Sequence, residues 1–549
     1  MNQSRAAWRL AAIPLVFLGL FFFYPLVNIL VTGLGRAGAE GPGGLLAGGY
    51  TAELFAFTAA QALISTVLCL LIGIPASYVL GSFRFRGRGL FLALATLPFV
   101  LPTVVVAAAL LSVIGQNGLV NAALRTLFGP DAPSLALERT LTIVIIAHVF
   151  YNTPVVLRIL ITHWMTRDRH AEEAARLLGA PPLKLWWRIR LRLALPSILS
   201  AGLLVFIFTF TSFGVVLLLG GSRIATVEVE IYRQTTGMFN LAAAAVLSLL
   251  QMLFMTILIA VFSLLDRRAA AKAGPPELRT PRRPREWAAV AATVAGLGLL
   301  LIVPLLLLAL QSVSGPDGAL TLRAYELLGE TSRQSVLSQP AANALLQSLL
   351  IAGAAVLLAV PIGALTATAV WLGKGRGHTL LNLVVLLPLS ASAVLLGLGF
   401  VISLDEPPLN LRSAWVLLPI AHTLVAIPLI VRTLTPALRG LPLDLREAAL
   451  VLGAPPATVW RRILLPLLRP ALMVGALFAF TVSMGEFGAT LFIARPEWTT
   501  APVAVYRLLG RPGGSNYQQA LALSTLLLIM CALAFVGMER LRGGRPGGI

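Results

Sequence analysis

Charged side chains are scarce in this 549-residue chain. Asp, Glu, Lys and Arg together make up 12% of it, about half the roughly 25% usual in soluble domains. That shortage, with 58% hydrophobic residues and a mean hydropathy of +0.89, excludes an ordinary soluble protein. It excludes a disordered chain as well, because disorder goes with few apolar residues. Cysteine is nearly absent. Cys69 and Cys531 both lie in apolar runs, so there is neither a disulfide framework nor a cysteine zinc site. Five histidines are scattered without an H-E-x-x-H pair, and no G-x-x-x-x-G-K-[ST] loop is present; Gly373-Lys374 lacks the preceding glycine. What remains is a polytopic membrane protein, with room for about a dozen helices at about 20 apolar residues each.

Apolar runs predict spans at 11–33, 55–80, 90–115, 141–162, 198–219 and 240–265, then at 287–311, 343–371, 380–403, 414–431, 470–492 and 518–538. The first run follows Arg5 and Arg9 but is too long for a signal peptide, so it reads as a retained helix. With both termini inside, 31 of the 42 Lys and Arg fall in inside segments, as the positive-inside rule requires. The net charge of +20 is therefore chiefly topogenic, and nucleic acid is not an expected partner.

The chain repeats itself. At an offset of 274, "IAHVFYNTPVVLR" (146–158) meets "IAHTLVAIPLIVR" (420–432), Glu173-Ala174-Ala175 meets Glu447-Ala448-Ala449, and Gly179-Ala180-Pro181-Pro182 meets Gly453-Ala454-Pro455-Pro456. Trp186 and Pro196 meet Trp460 and Pro470, and Phe213-Gly214 meets Phe487-Gly488. Earlier in each half the offset drifts to 286–290, pairing Pro75 with Pro361 and Pro98 with Pro388. The expected organisation is a six-span unit at 1–265, a basic Pro-rich linker at 266–286, and a second six-span unit at 287–549. An even number of spans makes the two units parallel, related by an axis along the membrane normal.

After the fourth span of each half comes a long inside loop. In "DLREAALVLGAPPATVWRRILLPLLRP", Asp444 is expected to cap a short helix. Gly453 should end it in the left-handed conformation, and the two prolines should open a second helix. Two alanines allow close approach of another backbone, which reads as a docking element for another protein. The spacing Glu447-Ala448-Ala449, Gly453, Ile463, Leu465-Pro466 resembles the EAA motif of ABC-importer permeases. The first copy departs from it, with Arg192 where the second has Pro466.

That resemblance implies an all-α polytopic fold of the type I ABC importer transmembrane kind. It implies a channel-forming subunit that translocates a small solute inward, with no ATPase site of its own. Two copies of a separate ATPase, carrying ATP and Mg, would bind Glu173, Ala174, Ala175, Gly179 and Glu447, Ala448, Ala449, Gly453. An extracytoplasmic substrate-binding protein would deliver the cargo, and no cofactor or metal would be bound by this chain. The expected location is the cytoplasmic (inner) membrane of a prokaryote. The strings "SFGVVLLLGGSRIATVEVEIY" (212–232), "AHVFYNTPVVLR" (147–158) and "GEFGATLF" (485–492) are similar to thiamine-importer permeases, with iron(III)-importer permeases as the alternative.

Glu486 is the one carboxylate well inside an expected span, where charge is costly and often functional. With its repeat partner Ser212 it is a candidate for the translocation path; a structural hydrogen-bonding role is the competing reading. His148 and His422, at equivalent places, suit helix–helix hydrogen bonding. An ion-driven secondary carrier would need more buried ionisable groups and would leave the paired docking loops unexplained. An intramembrane enzyme would need a constellation that the spans lack.

Overall fold

The computed structural model describes residues 2–35, 49–116, 118–129, 131, 133–167, 170–270, 278–315, 319–330, 337–373, 381, 384–385, 387–405, 407, 409–511 and 513–541. In the first half the elements used below are α1 (Ala7–Leu34), α2 (Tyr50–Ser82), α3 (Arg88–Val100), α4 (Thr103–Ile114), α5 (Leu141–Thr166), α6 (His170–Leu177), α7 (Pro182–Phe210), α8 (Gly214–Leu219), α9 (Val227–Thr236) and α10 (Leu241–Leu265). In the second they are α11 (Pro284–Ser312), α12 (Ala341–Leu372), α13 (Ala393–Ser403), α14 (Leu417–Arg439), α15 (Leu443–Val451), α16 (Ala457–Gly485), α17 (Gly488–Ile493), α18 (Ala501–Leu509) and α19 (Gly514–Leu541). Among the described residues eleven stretches are long and apolar enough to cross a membrane, Thr103–Phe128 among them. The fold is all-α and polytopic.

The helices are built for lipid. On α2 the large side chains of Leu63, Val67 and Leu71 point outward and are exposed, while Thr58, Gln61, Ser65 and Gly73 face inward. Small and polar residues inside let backbones approach closely and hydrogen-bond across helices. A Cβ on Gly73 would stand 2.4 Å from Val156 Cγ1 of α5, and one on Gly363 of α12 would stand 2.7 Å from Ile430 Cγ2 of α14. Val156 and Ile430 are 274 residues apart, so this is one contact made twice.

Such duplicated contacts define the pseudo-symmetry. The Val227 N–H donates to Thr58 Oγ1 at 3.1 Å, and the Ala501 N–H donates to Ser348 Oγ at 2.8 Å. Gly214 lies against Thr103, and Gly488 against Ala393. These pairs put α2 and α12 at a constant separation of 290. The expected pairing of Pro75 with Pro361 is therefore corrected: Pro361 is equivalent to Leu71, one turn from Pro75. Both prolines do lie inside helices, and their prominence drew the alignment four residues out of register.

Two expected spans are broken. The run 90–115 divides at Leu101-Pro102, where Pro102 starts α4. In the run 380–403 the regular helix is α13, capped by the Ser392 hydroxyl, which accepts from the Leu395 N–H at 3.0 Å; residues 380, 382, 383 and 386 before it lie outside the described residues. The expected spans 198–219 and 470–492 are displaced. Their helices begin sixteen and thirteen residues earlier, at Pro182 and Ala457, and end at Phe210 and Gly485.

The halves are interleaved at their first helices. α1 of the first half lies along α12 of the second, with Pro25 against Gly399 of α13. α11 of the second half lies along α2 and α4 of the first, and Gln311 Nε2 donates to the Ser112 carbonyl at 2.8 Å. Residues 271–277 of the linker lie outside the described residues. Its end is pinned where Arg279 exchanges backbone hydrogen bonds with Ser82 and Arg84, its guanidinium over the Phe83 ring.

Candidate functional site

The loop between α5 and α7 and its counterpart between α14 and α16 fold alike. α6 and α15 are short helices ending at Gly179 and Gly453, whose φ values of +76° and +80° only glycine adopts without strain. The Gly179 N–H donates to the Arg176 carbonyl and the Ala180 N–H to the Ala175 carbonyl, each at 3.0 Å. Gly453 and Ala454 repeat both bonds, to Leu450 and Ala449, at 3.0 Å. This cap satisfies carbonyls that would otherwise end the helix unpaired. Asp444 sits within the first turn instead of capping it, because α15 begins at Leu443 behind Pro442. Glu173, Ala174, Glu447 and Ala448 are exposed, with Ala175 and Ala449 half-buried.

Beside each glycine two large apolar side chains stand almost wholly in the open. Leu177 and Leu178 are 90% and 88% exposed, and Val451 and Leu452 are 87% and 87%. Lipid-facing residues of the spans rarely approach such values, and these sit on loops. Beyond the prolines, each chain passes through a widened turn, Trp186–Arg190 and Trp460–Leu464, directly into the long helix. Widened turns of this kind mark functional positions in helices. Trp186 packs on Trp164 and Tyr78, and Trp460 on Trp371, so both tryptophans anchor the loops internally.

The first loop has a further anchor that the sequence reading missed. Glu172 is buried and paired with Arg167 (3.1 Å), Arg190 (3.0 Å) and Arg176 (3.7 Å), with Arg167 and Arg190 also over the Tyr78 ring. Its repeat counterpart is Arg446, so no symmetry drew attention to it. Removing one member of a buried ion cluster costs about 3–5 kcal/mol. Glu172→Ala is therefore expected to speed backbone hydrogen exchange across His170–Leu177 and leave Leu443–Val451 unchanged. Equal protection of α6 in variant and parent would show that the cluster does not hold the loop.

At the opposite end of the bundle, α7 and α16 break, and the break residues are Ser212 and Glu486. Ser212 Oγ bonds His148 Nε2 at 2.8 Å. Glu486, buried, accepts from the Ala489 N–H at 2.8 Å, the Thr490 N–H at 2.9 Å and the Thr490 hydroxyl, with His422 Nε2 at 3.4 Å. His422 also bonds Ser483 Oγ at 2.6 Å and Thr490 Oγ1 at 2.9 Å. Both histidines thus tie the fourth span to the break after the fifth, as their equivalent positions suggested.

Next to the breaks, the two halves meet through aromatic rings. Phe213 stacks on Phe487 with centroids 5.7 Å apart and planes at 25°. Tyr232 lies 5.5 Å from Phe213, and Tyr506 lies 5.4 Å from Phe487. The two tyrosine hydroxyls interact with each other, and Tyr232 meets Phe492 edge-on at 5.4 Å. Each pair is related by 274 residues, so the pseudo-two-fold axis runs through this cluster. Phe213-Gly214 and Phe487-Gly488 stand out in the sequence as a repeat; Tyr232-Arg233 and Tyr506-Arg507 share the same offset without a surrounding run of matches. Among the described residues no group of His, Cys, Asp and Glu side chains could hold a metal ion.

Two segments of the chain, 73–271 and 359–541, match the family of binding-protein-dependent transport system inner membrane components. The chain belongs to this family. It is a permease subunit of an ABC importer with two fused copies of the family unit, and a multi-pass protein of the inner membrane. It is 29% identical to the thiamine transport system permease protein ThiP of Brucella abortus, over 89% of this chain and 87% of that protein. The corresponding protein of Escherichia coli K12 is 28% identical over 90% of each. A putative 2-aminoethylphosphonate transport system permease protein of Salmonella paratyphi A is 28% identical over 50% of this chain and 96% of its own length.

Proposed function

We propose that this permease carries thiamine inward across the cytoplasmic membrane, using ATP hydrolysed by two separate ATPase subunits. One ATPase docks on α6 and one on α15, through Glu173, Ala174, Ala175 and Gly179 on one side and Glu447, Ala448, Ala449 and Gly453 on the other. Both loops and both termini are cytoplasmic, in keeping with the distribution of Lys and Arg. A substrate-binding protein delivers cargo at the opposite face. Glu486 and Ser212, one residue from the stacked phenylalanines, belong to the walls of the path. The chain itself supplies no ATPase site and no cofactor.

The observation that carries the coupling is the pair of apolar tips. Exposed Leu177-Leu178 and Val451-Leu452 lie at matching places beside matching helix caps, and exposed apolar patches mark protein-interaction sites. The widened turns then join each tip rigidly to the long helix whose far end breaks at the aromatic cluster. The cargo assignment is supported by similarity to thiamine permeases along nearly the whole chain. The test is reconstitution in vesicles with the cognate ATPase and binding protein. ATP-dependent accumulation of labelled thiamine, with none of ferric ion, is expected; the reverse preference would establish the iron reading.

A further inference from the structure

The pseudo-symmetry of the bundle isolates one polar cluster that has no counterpart. Glu228 opens α9 and is fully buried (0% exposed). Its Oε1 accepts from Gln251 Nε2 of α10. Its Oε2 has no hydrogen-bond partner, nor do Gln251 Oε1 and Ser248 Oγ, one turn before Gln251. Across the interface between halves, the Ser392 side chain at the start of α13 faces the carboxylate. No Lys, Arg or His among the described residues pairs with Glu228. At the equivalent positions of the second half stand Pro502, Ala522 and Thr525. The scaffold is duplicated and the cluster is single.

Buried polar groups are normally satisfied, and a buried carboxylate without a cation is costly. Two orphaned acceptors, Glu228 Oε2 and Gln251 Oε1, with the unpartnered Ser248 hydroxyl one turn before Gln251, call for a partner that brings N–H groups and positive charge. Tyr232 is four residues from Glu228 on the same helix, so the two share a face. Tyr232 is also part of the aromatic cluster on the axis, and aromatic faces attract organic cations. A carboxylate and an amide acceptor on the helix that carries a ring of the aromatic cluster, and on its neighbour, make a recognition surface for a flat, positively charged cargo that also carries an amino group.

Resting on the proposed function, we propose that Glu228, Gln251 and Ser248, together with the aromatic cluster of Phe213, Tyr232, Phe487 and Tyr506, are the cargo-recognition site of this permease, with Glu228 as counter-charge to an organic cation. The polar cluster lies in one half only, so the site as a whole is asymmetric and each chain passes one cargo molecule in one orientation. Glu486, whose oxygens are already engaged by α17 and His422, walls the path and does not contribute the counter-charge.

The test uses the complete transporter in vesicles with Glu228→Gln and Glu228→Asp, assayed with labelled thiamine and with a neutral tricyclic thiamine oxidation product added inside the binding-protein-saturating range. Glu228→Gln should lower thiamine uptake at least tenfold while binding-protein-stimulated ATP hydrolysis stays within twofold, and Glu228→Asp should restore most of the uptake. The ratio of thiamine to neutral-analogue transport should fall by a similar factor. Wild-type thiamine uptake in Glu228→Gln, or an equal fall in uptake and ATP hydrolysis together with a lowered melting temperature, would overturn the site. If the parent complex moves no thiamine, the cargo assignment fails. The counter-charge is then judged by whether Glu228→Gln abolishes uptake of whichever quaternary amine the parent does carry.

Discussion

Replacing Val451 and Leu452 with aspartate abolishes ATP-dependent uptake, by about a hundredfold or more. Both side chains stand 87% exposed beside Gly453, so the substitution removes no contact within the permease and should not disturb insertion or folding. On the proposed coupling, the same residues face the ATPase in the assembled transporter. Two carboxylates carried into an apolar interface without partners cost several kcal/mol through desolvation alone, and 1.4 kcal/mol is tenfold in an equilibrium. Pull-down of the ATPase should fail in step with uptake. The matching substitution at Leu177 and Leu178 should have a smaller effect on docking geometry, because the Glu172 cluster holds α6 more firmly than anything described holds α15. Wild-type uptake in the Val451/Leu452 variant would show that these tips are not where the work enters.

Gly363→Leu prevents recovery of folded protein, whereas Gly353→Leu, ten residues earlier on the same helix, is tolerated. At Gly363 a Cβ already lies 2.7 Å from Ile430 Cγ2 and 2.9 Å from its Cβ, and Ile430 is fully buried. Neither helix can retreat without opening the contact between α12 and α14, so the penalty should exceed the ~1–3 kcal/mol of ordinary overpacking. At Gly353 a Cβ meets nothing within 4 Å, and a leucine would simply face lipid. Size-exclusion profiles of detergent extracts separate the two outcomes: a monodisperse peak for Gly353→Leu and aggregate for Gly363→Leu. Equal profiles would mean that the glycine contact is not a constraint on packing.

The all-α fold, the duplication and the loop helices were legible because each has a strong local signal. Hydropathy marks long spans, Gly-Ala-Pro-Pro marks the end of one helix and the start of the next, and a constant offset marks the repeat. The positions where helices break were harder. The apolar runs 198–219 and 470–492 continue through the breaks at Ser212 and Glu486, since hydropathy does not register a change of backbone direction. Glu228 falls between the expected spans 198–219 and 240–265, so only Glu486 stands out as a carboxylate inside a span. α9 is buried against α10, against α2 at Thr58 and against α13 of the other half, and hydropathy along the chain registers none of these contacts. Glu172 was passed over because it stands next to the more conspicuous Glu173 and has the opposite charge at its repeat position.

The exchange of first helices bears on why the two units are one polypeptide. Each half presses its leading helix against its neighbour, so a half released by itself would leave a groove on its flank and an orphan helix trailing in lipid. Two identical halves could fill each other's grooves, but such a homodimer would hold either two copies of the lone acidic cluster or none. Tethering unlike halves through a basic strap enforces a one-to-one stoichiometry and lets a symmetric machine keep a single, lopsided doorway.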